Sequence, residues 1–138
     1  MPSRPLLTQV IPMSSLPKLF LVFAAASGVV AVSLGAFGAH ALKAYLEQSS
    51  LSTWQTAVQY HFIHTLALMA VAVLLQQHPQ STSLVVSATL FALGIVLFSG
   101  SLYSMALGAP NWLGPITPLG GACFIGGWFA LLLFAIRN

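Results

Sequence analysis

The side chains able to do chemistry in this sequence are few and unevenly placed. His40, His61 and His64 fall in a stretch that also holds Tyr60, Thr65, Lys43 and Glu47, while Cys123 stands apart. His61 and His64 are three residues apart, hence about 60° apart around a helix, and Tyr60 and Thr65 each lie four from one of them. A helix there presents Tyr, two His and Thr on one face. Histidine suits proton handling, haem or a divalent metal, and an ionisable group inside a membrane span usually faces the bundle interior and marks a binding path or relay. The bland alternative is that His61 and His64 bond to backbone carbonyls, Ser99, Ser101 or Tyr103 of a neighbouring helix and pin the bundle together. Spacing leaves both open.

The rest of the chain narrows the chemistry. A metal site needs about three or four convergent ligands. Beyond the histidines only Glu47 and Cys123 are strong candidates, and no CxxC or HExxH spacing occurs, so His61 and His64 alone merit a metal test. Hydrolysis by a serine or cysteine nucleophile wants a base and an orienting acid, whereas Glu47 is the chain's only carboxylate side chain. Paired-carboxylate and P-loop chemistry are both missing. We therefore expect no enzyme and no required cofactor. Four Lys and Arg residues scattered along the chain form no track for phosphates, which excludes nucleic acid as a partner.

These residues sit in a chain of 138 residues that is 58% hydrophobic and 4% charged, far below the roughly 25% charged residues of soluble domains. Lipid must cover its exterior. The hydrocarbon core asks for roughly 20 apolar residues per helix, and four runs supply them: Leu19 to Ala39, Thr56 to Leu75, Leu84 to Ala106 and Ile116 to Ile136. None alternates apolar with polar residues as barrel strands do. The fold class is an all-α polytopic membrane protein, four helices in a small bundle, forming one domain over residues 18–138 after an irregular tail, 1–17. His40 to Gln55 interleaves Lys43, Glu47, Gln48 and Gln55 with Leu42, Tyr45, Leu46 and Leu51, and reads as an amphipathic interfacial segment. Gln76 to Ser83 and Leu107 to Pro115 are turns, the second marked by Gly108, Pro110, Gly114 and Pro115. The first run is too long for the 7 to 15 residues of a secretory signal core, so we expect it to be retained as a span.

Arg4, Lys18 and Arg137 flank the span ends on the side of the termini and Lys43 alone flanks the other, which places both termini in the cytoplasm. Tyr45, Trp54, Tyr60, Tyr103 and Trp112 fall at the opposite boundary as an aromatic belt. Helices in lipid approach through small residues. Ser27, Ala31 and Gly35 recur every four residues in the first span with Gly28 and Gly38 alongside; Gly94 and Gly100 mark the third, and Gly120, Gly121, Gly126 and Gly127 the fourth.

Four ordered strings, GAFGAHALK (Gly35 to Lys43), AVQYHFIHTLAL (Ala57 to Leu68), LFSGSLY (Leu97 to Tyr103) and GPITPLGG (Gly114 to Gly121), resemble the signature segments of the domain-of-unknown-function 423 family. The resemblance covers nearly the whole chain from Lys18 to Ile136. It implies a small four-span bacterial inner-membrane protein and carries no biochemical activity with it. Its motif positions fall here on Gly35, Phe37, Gly38, His40, Tyr60, His61, His64, Ser99, Tyr103, Pro115 and Gly120.

Two independent readings thus meet at the extracytoplasmic half. There we expect a shallow polar pocket walled by His40, Tyr60, His61, His64, Ser99, Ser101, Tyr103 and Trp112. The expected function is an accessory or interaction subunit docking on a membrane protein or on its own copies. The alternative is binding of haem, metal, quinone or lipid in that pocket, with an oligomeric transporter or channel as a third reading.

Overall fold

The computed structural model describes residues 12–137. Residues 1–11 of the expected tail, and Asn138, lie outside the described residues, and 12–14 lead without regular structure into α1, Ser15–His40. A 3-10 turn, Leu42–Ala44, connects to α2, Gln48–Gln77. The third span comprises α3, Thr82–Gly94, a π-helical turn, Ile95–Ser99, and α4, Gly100–Ala106. A second 3-10 turn, Asn111–Leu113, precedes α5, Ile116–Arg137. Four helical stretches are long and apolar enough to cross a membrane, and no strand occurs among the described residues.

Boundaries shift where sequence offers no breaker. The second span begins at Gln48 instead of Thr56, because no Gly or Pro interrupts the chain between Glu47 and Gln77 and because Leu51 and Trp54 give its first turns something to bury. The interfacial segment is therefore divided between the Leu42–Ala44 turn and the first two turns of α2. The third span ends as its glycine requires: Gly108 takes φ 88°, and Gly108 N–H and Ala109 N–H donate to the carbonyls of Met105 and Ser104, both at 3.0 Å. That pair of bonds satisfies the last carbonyls of α4.

α1 packs chiefly on α2 and α5 chiefly on the third span, while α2 and the third span form the centre. Glycines set how closely they approach. At the α1–α2 seam the Trp54 indole lies across Gly38, where an added Cβ would stand 2.5 Å from the ring, and Trp54 Nε1 donates to the Leu34 carbonyl at 3.0 Å. The α3–α5 seam is reciprocal, with the Phe91 ring of α3 seated on Gly127 and the Phe124 ring of α5 seated on Gly94. Ser87 Oγ donates to the Gly127 carbonyl at 2.9 Å beside them. At Gly120 the neighbour is backbone: a Cβ would collide with the N and Cα of Phe98 in the π-turn.

The other glycines are looser. Gly28 and Gly121 meet neighbours only at ordinary distances (3.8 Å to Thr65, 3.7 Å to Phe98), Gly35 and Gly126 touch the movable ends of Val58 and Leu90 at 3.3 and 3.1 Å, and Gly100 faces open space. Gly120→Ala therefore forces a backbone to move, which costs about 1–3 kcal/mol. Gly121→Ala gains about 1 kcal/mol of helix propensity without a clash. Thermal unfolding in detergent should show the first variant clearly destabilised and the second equal to or above wild type. Equal midpoints would show that the π-turn yields freely at Phe98.

Candidate functional site

His61 and His64 of α2 face different neighbours. His61 is 5% exposed. Its Nε2 lies 2.9 Å from Ser27 Oγ of α1 and its Nδ1 lies 3.1 Å from the Tyr103 hydroxyl of α4. Ser27 Oγ is also 2.7 Å from Thr65 Oγ1, one helical turn beyond His61. The result is a buried chain Tyr103–His61–Ser27–Thr65 that ties α4 to α2 and α2 to α1. Every link in it joins groups that can both donate and accept, His61 through its two ring nitrogens.

His64 turns toward α5. Its Nδ1 lies 2.8 Å from the Tyr60 carbonyl and its Nε2 accepts from Trp128 Nε1 at 3.2 Å. A carbonyl only accepts and an indole N–H only donates, so the proton must sit on Nδ1. The ring stacks on Phe124 with centroids 3.5 Å apart and planes 10° from parallel, with Tyr60, Phe91 and Trp128 completing an aromatic box. Both nitrogens are committed. This imidazole links α2 to α5, through Trp128 and not through the Ser99, Ser101 or Tyr103 partners that the bland reading of the sequence named.

The single pocket expected from sequence is not formed. His40, at the end of α1, is exposed, and Trp112, in the loop before α5, is 69% exposed. Neither reaches the histidines of α2, because helical rotation carries His40 to the outer surface and the Asn111–Leu113 turn carries Trp112 beyond the bundle. Ser101 faces α5, accepting from Thr117 Oγ1 at 2.6 Å while donating to the Phe98 carbonyl, three residues back in the π-turn, at 2.9 Å. Ser99 is 1% exposed with its hydroxyl unpartnered. Neither serine bonds to a histidine. Cys123 is half-buried and free, and among the described residues no three of His, Cys, Asp and Glu come together as metal ligands. The aromatic belt is likewise divided: Tyr45 and Trp112 are exposed, whereas Trp54 is buried and tilts against the Tyr103 ring at 4.7 Å.

Two partners were missed in the sequence. Ser27 stood among the small packing residues, although a hydroxyl in a stripe of Ala and Gly signals a polar neighbour across the seam. Trp128 lies mid-span, away from either belt, where an indole N–H has no water to bond and seeks an acceptor within the protein.

Two open grooves result. One, about 390 Å³, opens between α1 and the third span, with Ser27, His61, Ile95 and Tyr103 at its floor and Phe23, Val30 and Val96 at its rim. The other, on the α5 side, is lined by Tyr60, His64, Phe98 and Trp128 among others. The chain's residues 34–121 match the family described as "Protein of unknown function (DUF423)". The UPF0382 membrane protein YwdK of Bacillus subtilis is 42% identical over 87% of this chain and 98% of its own length. The UPF0382 inner membrane protein YgdD of Escherichia coli K12 is 42% identical over 87% of this chain and 91% of its own.

The chain belongs to the DUF423 family. No solved structure matches it. As a DUF423 member it is an integral membrane protein, and its relative in E. coli is named an inner-membrane protein. The family match contains His61, His64, Thr65 and Tyr103, while Ser27 and Trp128, which complete their hydrogen bonding, lie outside it.

Ser27→Ala leaves both His61 Nε2 and Thr65 without a partner in a buried seam. We expect it to cost about 1–3 kcal/mol, read as a lower unfolding midpoint in detergent. Trp128→Phe keeps the aromatic box and removes one donor, and should cost about 0.6 kcal/mol, the average for hydrogen bonds between membrane helices. A larger loss for Trp128→Phe than for Ser27→Ala would reverse the assigned importance of the two histidines.

Proposed function

We propose that this DUF423 protein binds an uncharged lipophilic molecule bearing a carbonyl or hydroxyl group, in the groove between α1 and the third span, without catalysing a reaction. One observation carries the reading: a lipid-facing apolar groove of about 390 Å³ has the Tyr103–His61–Ser27 hydrogen-bond chain at its floor. Its volume lies in the range of small-molecule sites, about 300–1,000 Å³, and mostly apolar walls with a few placed polar groups are their usual make-up. No charged side chain lines it, so a neutral ligand fits best. The only carboxylate, Glu47, is exposed in the loop between α1 and α2 and supplies no acid or base to the groove.

The groove exists because α1 and the third span both lean on α2 and scarcely touch each other. Gly100 holds it open, since a Cβ there would meet nothing within 4 Å. Gly100→Leu should therefore fill the groove and leave the fold intact. Lipid extracts of the purified protein, compared by mass spectrometry, should show a neutral lipophile retained by wild type and lost from Gly100→Leu with an unchanged unfolding midpoint. Identical extracts would overturn the reading.

The accessory-subunit or homo-oligomer reading rested on small-residue faces. Several of those residues, Gly38, Gly94, Gly120 and Gly127, are used within the chain's own seams, so this reading now stands second. A stoichiometric larger assembly in mild detergent would restore it. We also propose cytoplasmic termini. Ser14 N–H donates to Gln76 Oε1 at 3.3 Å and the His78 ring stands edge-on to Phe134 at 5.1 Å, which gathers Lys18 and Arg137 at one end while Lys43 lies at the other, in agreement with the positive-inside rule. A periplasm-active reporter inserted near Ser50 should be active, and an inactive one paired with an active cytoplasmic reporter there would invert the topology.

A further inference from the structure

His61 and His64 differ in one respect that bears on the ligand. His64 is locked, since the Tyr60 carbonyl fixes a proton on Nδ1 and the Trp128 N–H requires a lone pair on Nε2. His61 has a hydroxyl on each side, Tyr103 at 3.1 Å and Ser27 at 2.9 Å. A neutral imidazole carries one N–H and one lone pair, so the chain through His61 has two complete directions over the same heavy-atom positions. In one, Thr65 donates to Ser27, Ser27 to His61 Nε2, and His61 Nδ1–H to the Tyr103 oxygen. The Tyr103 O–H is then free to donate. In the other, Tyr103 donates to Nδ1, Nε2–H donates to Ser27 and Ser27 donates to Thr65. The Tyr103 oxygen is then free to accept.

Tyr103 lines the groove. The direction of the chain therefore decides whether its hydroxyl offers a donor or an acceptor to whatever lies there. Taking the groove as the binding site proposed above, we infer that it accepts both the carbonyl and the hydroxyl form of one lipophilic ligand, as a quinone and its quinol present them, with the hydrogen-bond chain reversing to match. A carbonyl oxygen receives the Tyr103 O–H and selects the Nδ1–H form of His61. A hydroxyl donates to the Tyr103 oxygen and selects the Nε2–H form. Neither state leaves a buried polar atom of the chain unpaired, so discrimination between the two forms is small. A site with a fixed donor, by contrast, rejects the partner that also donates.

The test uses the full chain in lipid nanodiscs with 15N-labelled histidine, titrated with a short-tailed benzoquinone and with its quinol. Both should bind saturably with affinities within about tenfold of each other, a difference of one ordinary hydrogen bond or less. The 15N shifts should show His61 carrying its proton on Nδ1 with the quinone and on Nε2 with the quinol, while His64 stays protonated on Nδ1 in both. Tyr103→Phe should weaken both forms by about tenfold and abolish the difference in His61. Binding of one form alone, of neither, or of both with an unchanged His61 tautomer overturns the inference. Gly100→Leu separates it from the groove reading: probes that bind equally well to this variant lie elsewhere and remove the groove as the site. Probes weakened by it without a tautomer change leave the groove standing and refute only the reversing chain.

Discussion

Inside a bilayer a polar group has no water to turn to, so each one must find its partner within the chain or leave a cost of several kcal/mol. That constraint accounts for most of the specific geometry here. His61 finds Ser27 and Tyr103, His64 finds the Tyr60 carbonyl and Trp128, Ser87 finds the Gly127 carbonyl, and Trp54 finds the Leu34 carbonyl. Apart from the His64 bond to Tyr60, these bonds cross between helices. Hydrophobic burial gives neighbouring helices little reason to prefer one rotation over another in lipid. Polar side chains that must meet supply that reason.

Meeting requires short distances, and the glycines provide them. Trp54 can reach the Leu34 carbonyl because Gly38 leaves room for its indole, and Phe91 and Phe124 interlock because each sits on a glycine of the opposite helix. Gly120 goes further and admits the backbone of the π-turn. The π-turn widens the third span just before α4, and Ser101 donates back to its Phe98 carbonyl. Close packing and polar pairing are thus one arrangement: the small residues bring α1 onto α2 and α5 onto α3, and the hydroxyls and ring nitrogens fix the rotation.

The same arrangement separates the two histidines in role. His64 is held on all sides by rings and by two partners of fixed polarity, and it contributes order. His61 has partners that can reverse, and it borders a groove that α1 and the third span leave between them. Adjacent positions on one helix thereby serve a rigid seam and an adaptable surface. Three residues of helical spacing turn them far enough apart to face α5 in one case and α1 with α4 in the other.

Sequence by itself determined the solvent, the number of spans, the outer ends of the third and fourth spans to within two residues and the membership of the family, because run length, charge depletion and glycine signals are local properties. It also pointed to His61, His64, Tyr60 and Tyr103, since imidazoles within an apolar run are conspicuous. It did not place Ser27 or Trp128 beside them, and it grouped His40 and Trp112 with residues they never approach. Those questions turn on how far each helix is rotated about its own axis. No local pattern encodes that angle in lipid, where every face is apolar. Only the packed bundle settled it, through Gly38, Gly94, Gly120 and Gly127 setting the approach and the buried hydroxyls choosing their acceptors.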